Sequence, residues 1–439
     1  MMKPTVAVVG LWHLGTTVAA CLAAAGVRVV ASDPEPATVE ALRHARLPVE
    51  EPGLAALVRE GLDAGMLEFD TDVVGAVRGA DVVWVAFDTP VDERDEPNTN
   101  WVREEIERLL PALRPGALML VTSQVPVGFT RALARRAVDV APRSVRFAYS
   151  PENLQLGRAI ESFRRPARTV IGTETGGPDE LLARLLAPFQ GELRWMSLES
   201  AEMSKHALNA FLATSVAFIN EVARLCEVHG ADAQDVERAL KSEPRIGPRA
   251  YLAPGAAFAG GTLARDLRSL QRLGAAGSVA TPLLSAVLAS NDEHGEWLRK
   301  KIVEVSGGLT GITVAVLGLA YKPNTNTLRR SSALELCRWL AERSARVRAY
   351  DPAIAELGAE GHSRLTLAAS AGEVLAGAEV AVVATPWPEF RRLSGDDVVN
   401  AMKTPRVIDQ TRFLADTLGK DPRIAYVAVG TPAAARSQR

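Results

Sequence analysis

Cysteine is scarce: Cys21, Cys226 and Cys337 are the only three in a chain of 439 residues. Each sits in an Ala/Leu-rich helical pattern, so they read as reduced core thiols rather than as a disulfide framework or metal ligands. The six histidines, His13, His44, His206, His229, His294 and His362, show no paired spacing with cysteine or acid, and no metal site is expected. Positive charge is not in excess either. With 50 Lys and Arg against 52 Asp and Glu, the formal charge is -2, so nothing favours binding to a phosphate backbone and nucleic acid is not an expected partner. No apolar run reaches membrane-spanning length, and MMKPTVAVVGLW enters a strand without the charged opening of a signal peptide. A cytoplasmic protein with no membrane partner is expected. Lysines are few, basic charge being mostly Arg, which singles out Lys205 and Lys322.

What remains is an ordinary globular composition, 47% hydrophobic and 23% charged, on a chain too long for one core. Residues 4–33 read strand, turn, helix, strand: TVAVVG, then GLWHLG, then TTVAACLAAAG closed by Gly26, then VRVVASD. The turn is an imperfect dinucleotide fingerprint. Gly10 and Gly15 supply the tight turn and close helix packing, while Trp12 stands where a glycine lets the backbone reach a pyrophosphate. The helix N-terminus, His13-Leu14-Gly15, still offers N–H groups to an anion. Asp33 is spaced to accept ribose hydroxyls, which favours NAD over NADP. Trp12 is expected to pack its indole on apolar neighbours. After the Gly-rich linker SGGLTGIT, the same strand-helix-strand order recurs through ITVAVLG and ARVRAYDP. Between the two units lies a long helical pattern from Leu198 to Gly230, and a Gly/Ala-rich loop, RIGPRAYLAPGAAFAGGTLARDL, suited to close backbone approach to a ligand.

That loop resembles the active-site loop of the UDP-glucose/GDP-mannose dehydrogenase family: Arg245, Ile246, Gly247, Tyr251, Leu252, Pro254, Gly255, Phe258, Gly260 and Asp266 match. Further matches follow in order over residues 4 to about 430: Glu51-Pro52-Gly53-Leu54, Thr89-Pro90, Ser123 with Val125-Pro126-Val127-Gly128, Glu152, Lys205 with Asn209, and Tyr321, Lys322 and Arg329. The resemblance implies an α/β fold with two Rossmann-like doubly wound parallel-sheet domains joined by a central helical domain. Its segments would be an NAD-binding domain (1–196), a central helical dimerisation domain carrying the loop (197–305), and a nucleotide-sugar-binding domain (306–439). It also implies NAD as cofactor, a nucleotide-sugar substrate that is UDP-linked, a homodimer, and a place in polysaccharide or natural-product sugar biosynthesis.

By the same resemblance, Lys205, Asn209, Asp266, Glu152, Thr262 and Gln124 occupy catalytic positions. Gly10, Trp12, His13, Leu14, Gly15, Asp33, Thr89, Pro90 and Ser123 fall at the cofactor. Arg245, Tyr251, Leu252, Gly255, Phe258, Gly260, Tyr321, Lys322 and Arg329 fall at the substrate. The departures concentrate in the chemistry. Thr262 stands at the nucleophilic cysteine, Gln124 at a threonine, Leu156 at a glutamate and Arg265 at a lysine, and the RVIDQTRF segment puts a ligand contact from Arg412 in doubt. The family takes an alcohol to a carboxylate with two NAD, the second step passing through a thiohemiacetal and a thioester. A threonine hydroxyl does not become that sulfur ester. Two-electron alcohol/carbonyl chemistry is therefore expected, against two alternatives: full four-electron oxidation to a uronate, and a nucleotide-binding pseudoenzyme or regulatory protein.

Overall fold

The computed structural model describes residues 4–92, 97–152, 154–259, 261–328, 331–357 and 363–432. The chain divides into two compact units, residues 1–207 and 208–439. In the first, eight strands form one sheet: β1 (Val6–Val9), β2 (Val29–Ser32), β3 (Leu67–Asp70), β4 (Val82–Val85), β5 (Leu118–Val121), β6 (Arg146–Tyr149), β7 (Arg168–Thr173) and β8 (Glu192–Ser197). Their order is β3-β2-β1-β4-β5-β6-β7-β8. Only the β6–β7 pairing is antiparallel. The central strands, VAVV, VVWV and LMLV, are buried throughout. Continuous apolar strands are what a parallel sheet requires when helices cover both faces. One face packs on the helix His13–Ala24 through Val18, Cys21 and Leu22, and the other on helices that contribute Ile106 and Leu133.

The second unit repeats this topology. Strands β9 (Thr313–Leu317), β10 (Arg346–Tyr350), β11 (Leu365–Leu367), β12 (Val380–Val383), β13 (Arg406–Asp409) and β14 (Ala425–Ala428) run in the order β11-β10-β9-β12-β13-β14, all parallel. Both sheets thus reverse direction beside their first strand, between β1 and β4 and between β9 and β12. Doubly wound folds bind ligands at the carboxyl ends of the strands at such a crevice.

A 32-residue helix, Leu198–His229, carries the chain out of the first sheet. Leu198 and Ala201 belong to the first unit's core. Farther along, Ala210, Ala213 and Ala217 pack with Leu267 and Val287, and Ala223 and Cys226 join the core of the second sheet. The helices Ala233–Ser242, Thr262–Ala276, Pro282–Gly295 and Trp297–Ser306 complete the central region.

Candidate active site

At the end of β1 the backbone turns at Gly10, with φ of 93°, and its N–H donates to the Ser32 carbonyl at 3.0 Å. A Cβ on Gly15 would sit 1.8 Å from the Gly10 carbonyl oxygen, so only glycine lets the helix start this close to the strand. Trp12 behaves differently. Its φ is -78°, a conformation any residue adopts, and its indole is 45% exposed rather than packed on apolar neighbours as the sequence suggested. It precedes the helix without capping it. The first-turn N–H groups therefore have neither an intrahelical partner nor a side-chain cap. Asp33 closes the turn from the next strand, its Oδ2 accepting from Leu11 N–H at 2.8 Å and its Oδ1 from Glu35 N–H at 3.0 Å.

Nearby groups are tied tightly. The buried carboxylate of Glu51 binds His13 Nε2 at 2.8 Å and accepts from the N–H groups of Gly157 and Ala159, both at 2.8 Å. The His13 side chain thus serves the fold, and its backbone N–H is what it offers an anion. Leu14 packs against the core. Thr89 donates its hydroxyl to the Gln124 carbonyl at 2.8 Å, and exposed Pro90 follows. Ser123 Oγ is buried with no hydrogen-bond partner among the described residues.

The long helix grips the loop after β5. Glu202, fully buried, accepts from Gly128 N–H at 2.5 Å and Thr130 N–H at 2.8 Å, which caps the helix Phe129–Val140 from outside. Burial pushes this carboxyl up, and the two N–H groups pull it back. One turn on, His206 donates from Nε2 to the Val125 carbonyl at 3.1 Å. Lys205 donates to the Glu152 carbonyl. The Glu152 carboxylate in turn accepts from Leu154 N–H.

In the second unit Asn209 donates to the carboxylate of Asp266, a residue with no exposed surface. Asp266 lies one turn inside the helix Thr262–Ala276, and Thr262 is its exposed first residue. Arg245 is exposed and paired with Glu243 at 2.7 Å. Tyr251 is exposed, Leu252 buried, and the Phe258 ring packs against the cluster of Ala210, Ala213 and Leu267, which makes it an anchor of the loop. A Cβ on Gly255 would meet nothing closer than 3.8 Å, so the fold itself does not demand glycine there. Lys322 is exposed, its ammonium 5.5 Å from the Tyr321 ring centroid. Arg412 is engaged within this unit, by Asp232 at 2.8 Å and Thr431 Oγ1 at 3.1 Å. Gly260 and Arg329 lie outside the described residues.

Three stretches of the chain match family domains in sequence: residues 4–190 the NAD binding domain, 199–293 the central domain and 315–416 the UDP binding domain of the UDP-glucose/GDP-mannose dehydrogenase family. A UDP-glucose 6-dehydrogenase of Pseudomonas aeruginosa is 34% identical, over 97% of this chain and 97% of its own. One from Bacillus subtilis is 31% identical over 98% and 93%. The solved UDP-glucose dehydrogenase of Pyrobaculum islandicum superposes with a TM-score of 0.85 at 30% identity, covering 98% of both chains.

The chain belongs to the UDP-glucose/GDP-mannose dehydrogenase family. It is an NAD-dependent oxidoreductase acting on a CH–OH group. The residues present fit NAD in the first unit: first-turn N–H groups without a side-chain cap for the pyrophosphate, Asp33 for the ribose, and the buried Ser123 hydroxyl, which has no partner among the described residues. The acid at the matching place in the second unit, Asp351, accepts at Oδ2 from the N–H groups of Leu319 and Ala320 and from Trp387 Nε1, and at Oδ1 from Ala353 N–H. The two sheets share a topology, but their matching acids are bonded differently. Sequence reading missed Glu202 and His206, and matched Glu51 to the family without a role. Glu202 and His206 are polar residues among the buried positions of the long helix, Glu51 lies in the turn before the helix Leu54–Asp63, and each holds backbone in place.

Proposed function

We propose that this protein oxidises an alcohol of a UDP-linked sugar by two electrons and stops at the carbonyl. The observation that carries this reading is the state of its thiols. All three cysteines are buried, and burial pushes Cys21 and Cys337 up to about 12 and Cys226 upward too. Thiolate is the species that would attack an aldehyde. At the family's nucleophile position stands Thr262, with no histidine in the loop to activate it.

Bound NAD supplies the acceptor for the hydride leaving the alcohol carbon. Lys205 polarises the sugar oxygen as negative charge develops on it. Asp266, oriented by Asn209, accepts the hydroxyl proton through a water, and Glu152 orients that water. Carbon thus loses one hydride and oxygen one proton, and a carbonyl remains. Gln124 and Leu156 give the site a less hydrated wall than the family's threonine and glutamate would. Gly10, Trp12, His13, Leu14, Gly15, Asp33, Thr89, Pro90 and Ser123 bind the cofactor. The substrate is held by Arg245, Tyr251, Leu252, Gly255, Gly260, Tyr321, Lys322 and Arg329, with Phe258 as anchor. The UDP assignment rests on the family's UDP binding domain over residues 315–416 and on the names of the relatives.

The working form is a homodimer. Phe211, Phe218 and Leu225 are 68%, 51% and 57% exposed at seven-residue intervals along the long helix, one apolar stripe of the kind two helices bury together. The test mixes purified protein with NAD and a panel of UDP-sugars. NAD should raise the melting temperature, and at least one sugar should give NADH. Binding of UDP-sugar with no NADH from any would support a regulatory pseudoenzyme instead.

A further inference from the structure

Residues 253–259 form no helix or strand. A loop of this kind normally satisfies its backbone with water. Here three buried side chains do so. Asn220, on the long helix, accepts from Gly255 N–H at 2.9 Å and donates to the Ala256 carbonyl at 3.2 Å. Asn291, on the helix Pro282–Gly295, accepts from Phe258 N–H at 2.9 Å and donates to the Phe258 carbonyl at 3.0 Å. One turn along, His294 Nε2 lies 2.7 Å from the Gly255 carbonyl. Because that oxygen only accepts, Nε2 carries the proton. Nδ1 is then a bare acceptor, buried and without a partner among the described residues.

We infer that Asn220, Asn291 and His294 form a cradle that fixes the backbone of residues 255–258 before substrate arrives, and so act as positioning residues for nucleotide-sugar binding. The ordering cost of the loop is then met during folding rather than at binding, which tightens the complex without adding a contact to the ligand. Asn suits the first two places because its amide presents a donor and an acceptor side by side. Neither leucine nor aspartate matches both backbone groups. At position 294 the requirement is a single donor at Nε2 reach, which the glutamine amide also supplies. The substrate side of this inference rests on the function proposed above, whereas the preordering of the loop does not.

The test is hydrogen exchange on the free protein combined with steady-state kinetics. In the wild type the Gly255 and Phe258 amides should exchange at least about a hundredfold more slowly than unstructured peptide. Asn220→Ala should release the first and Asn291→Ala the second, with exchange in the two sheets unchanged. His294→Leu should raise KM for the sugar about tenfold, the worth of one to two net hydrogen bonds, with kcat moved far less. His294→Gln should restore most of it. Fast exchange of these amides in the wild type overturns the cradle, whether or not any variant folds. So does a failure of His294→Gln to rescue KM. Slow exchange released by the variants, in a protein that oxidises no nucleotide sugar, upholds the preordered loop and overturns the substrate assignment.

Discussion

Thr262 shows what one residue decides. It is the first residue of a helix whose preceding residue, Gly261, provides no side-chain cap. A thiol there would meet uncapped N–H groups and the positive end of the helix dipole, the environment that acidifies cysteine. Thr262→Cys, incubated with NAD and a UDP-sugar and quenched, should carry the sugar as a covalent adduct at residue 262. Mass spectrometry of the wild type should show none, and an adduct elsewhere in the wild type would contradict the assignment. His294 gives a second residue-scale expectation. Burial lowers its pKa below the usual value of about 6.5, the Gly255 carbonyl raising it and Arg224 lowering it further. Above the unfolded value both states are neutral and stability is full. As pH falls below it the unfolded chain takes the proton first, and stability is lost down to the folded value. His294→Gln should show less of this acid destabilisation in pH-dependent unfolding; an unchanged slope would contradict it. Thr262, Lys205 and Asp266 were legible as single letters in a motif. The cradle was not, because Asn291 and His294 acquire a purpose only when a loop more than 30 residues away in sequence folds against them.

Between elements, the long helix acts as a clamp on the first unit. Glu202 caps the helix Phe129–Val140, His206 holds Val125, and Lys205 holds Glu152, so one stretch of helix fixes both loops that carry Gln124 and Glu152. Glu202→Ala strands two N–H groups at a helix start preceded only by Gly128, and the loss should be about 2–3 kcal/mol. Urea unfolding followed by a signal from the first unit would measure it; a change below about 0.5 kcal/mol, the level of a neutral surface substitution, would show that the cap contributes little. The strand-helix-strand units were plain in the sequence because TVAVVG and ITVAVLG are continuous apolar runs flanked by glycine. Strands β7 and β8 were not. ELRWMS, at a sheet edge, has exposed and half-buried residues and none fully buried, and such a strand carries a weaker signal than a central one. The first two turns of the long helix belong with the first unit for a reason the helical period does not reveal: Leu198, Ala201 and Glu202 are buried there.

For the molecule as a whole, the repeated strand order was readable from the two βαβ signatures, and the family resemblance separated an NAD-binding from a nucleotide-sugar-binding segment, while the different bonding of their matching acids was not readable. Asp33 and Asp351 look alike in sequence, yet the second accepts from four N–H donors, three of them on one oxygen, and the first from two. Assembly is the other property at this scale. If the Phe211–Phe218–Leu225 stripe is a subunit interface, light scattering should give a dimer mass for the wild type and a monomer for Phe218→Asp, with the far-ultraviolet spectrum unchanged. A monomeric wild type would remove the dimer. How far oxidation proceeds follows from the residue at position 262. It is tested most directly by running a limiting UDP-sugar to completion with excess NAD and counting NADH per sugar consumed, with the product weighed by mass spectrometry. One NADH and a product two mass units lighter than the substrate is the outcome the missing thiol predicts; two NADH and a carboxylate would contradict it.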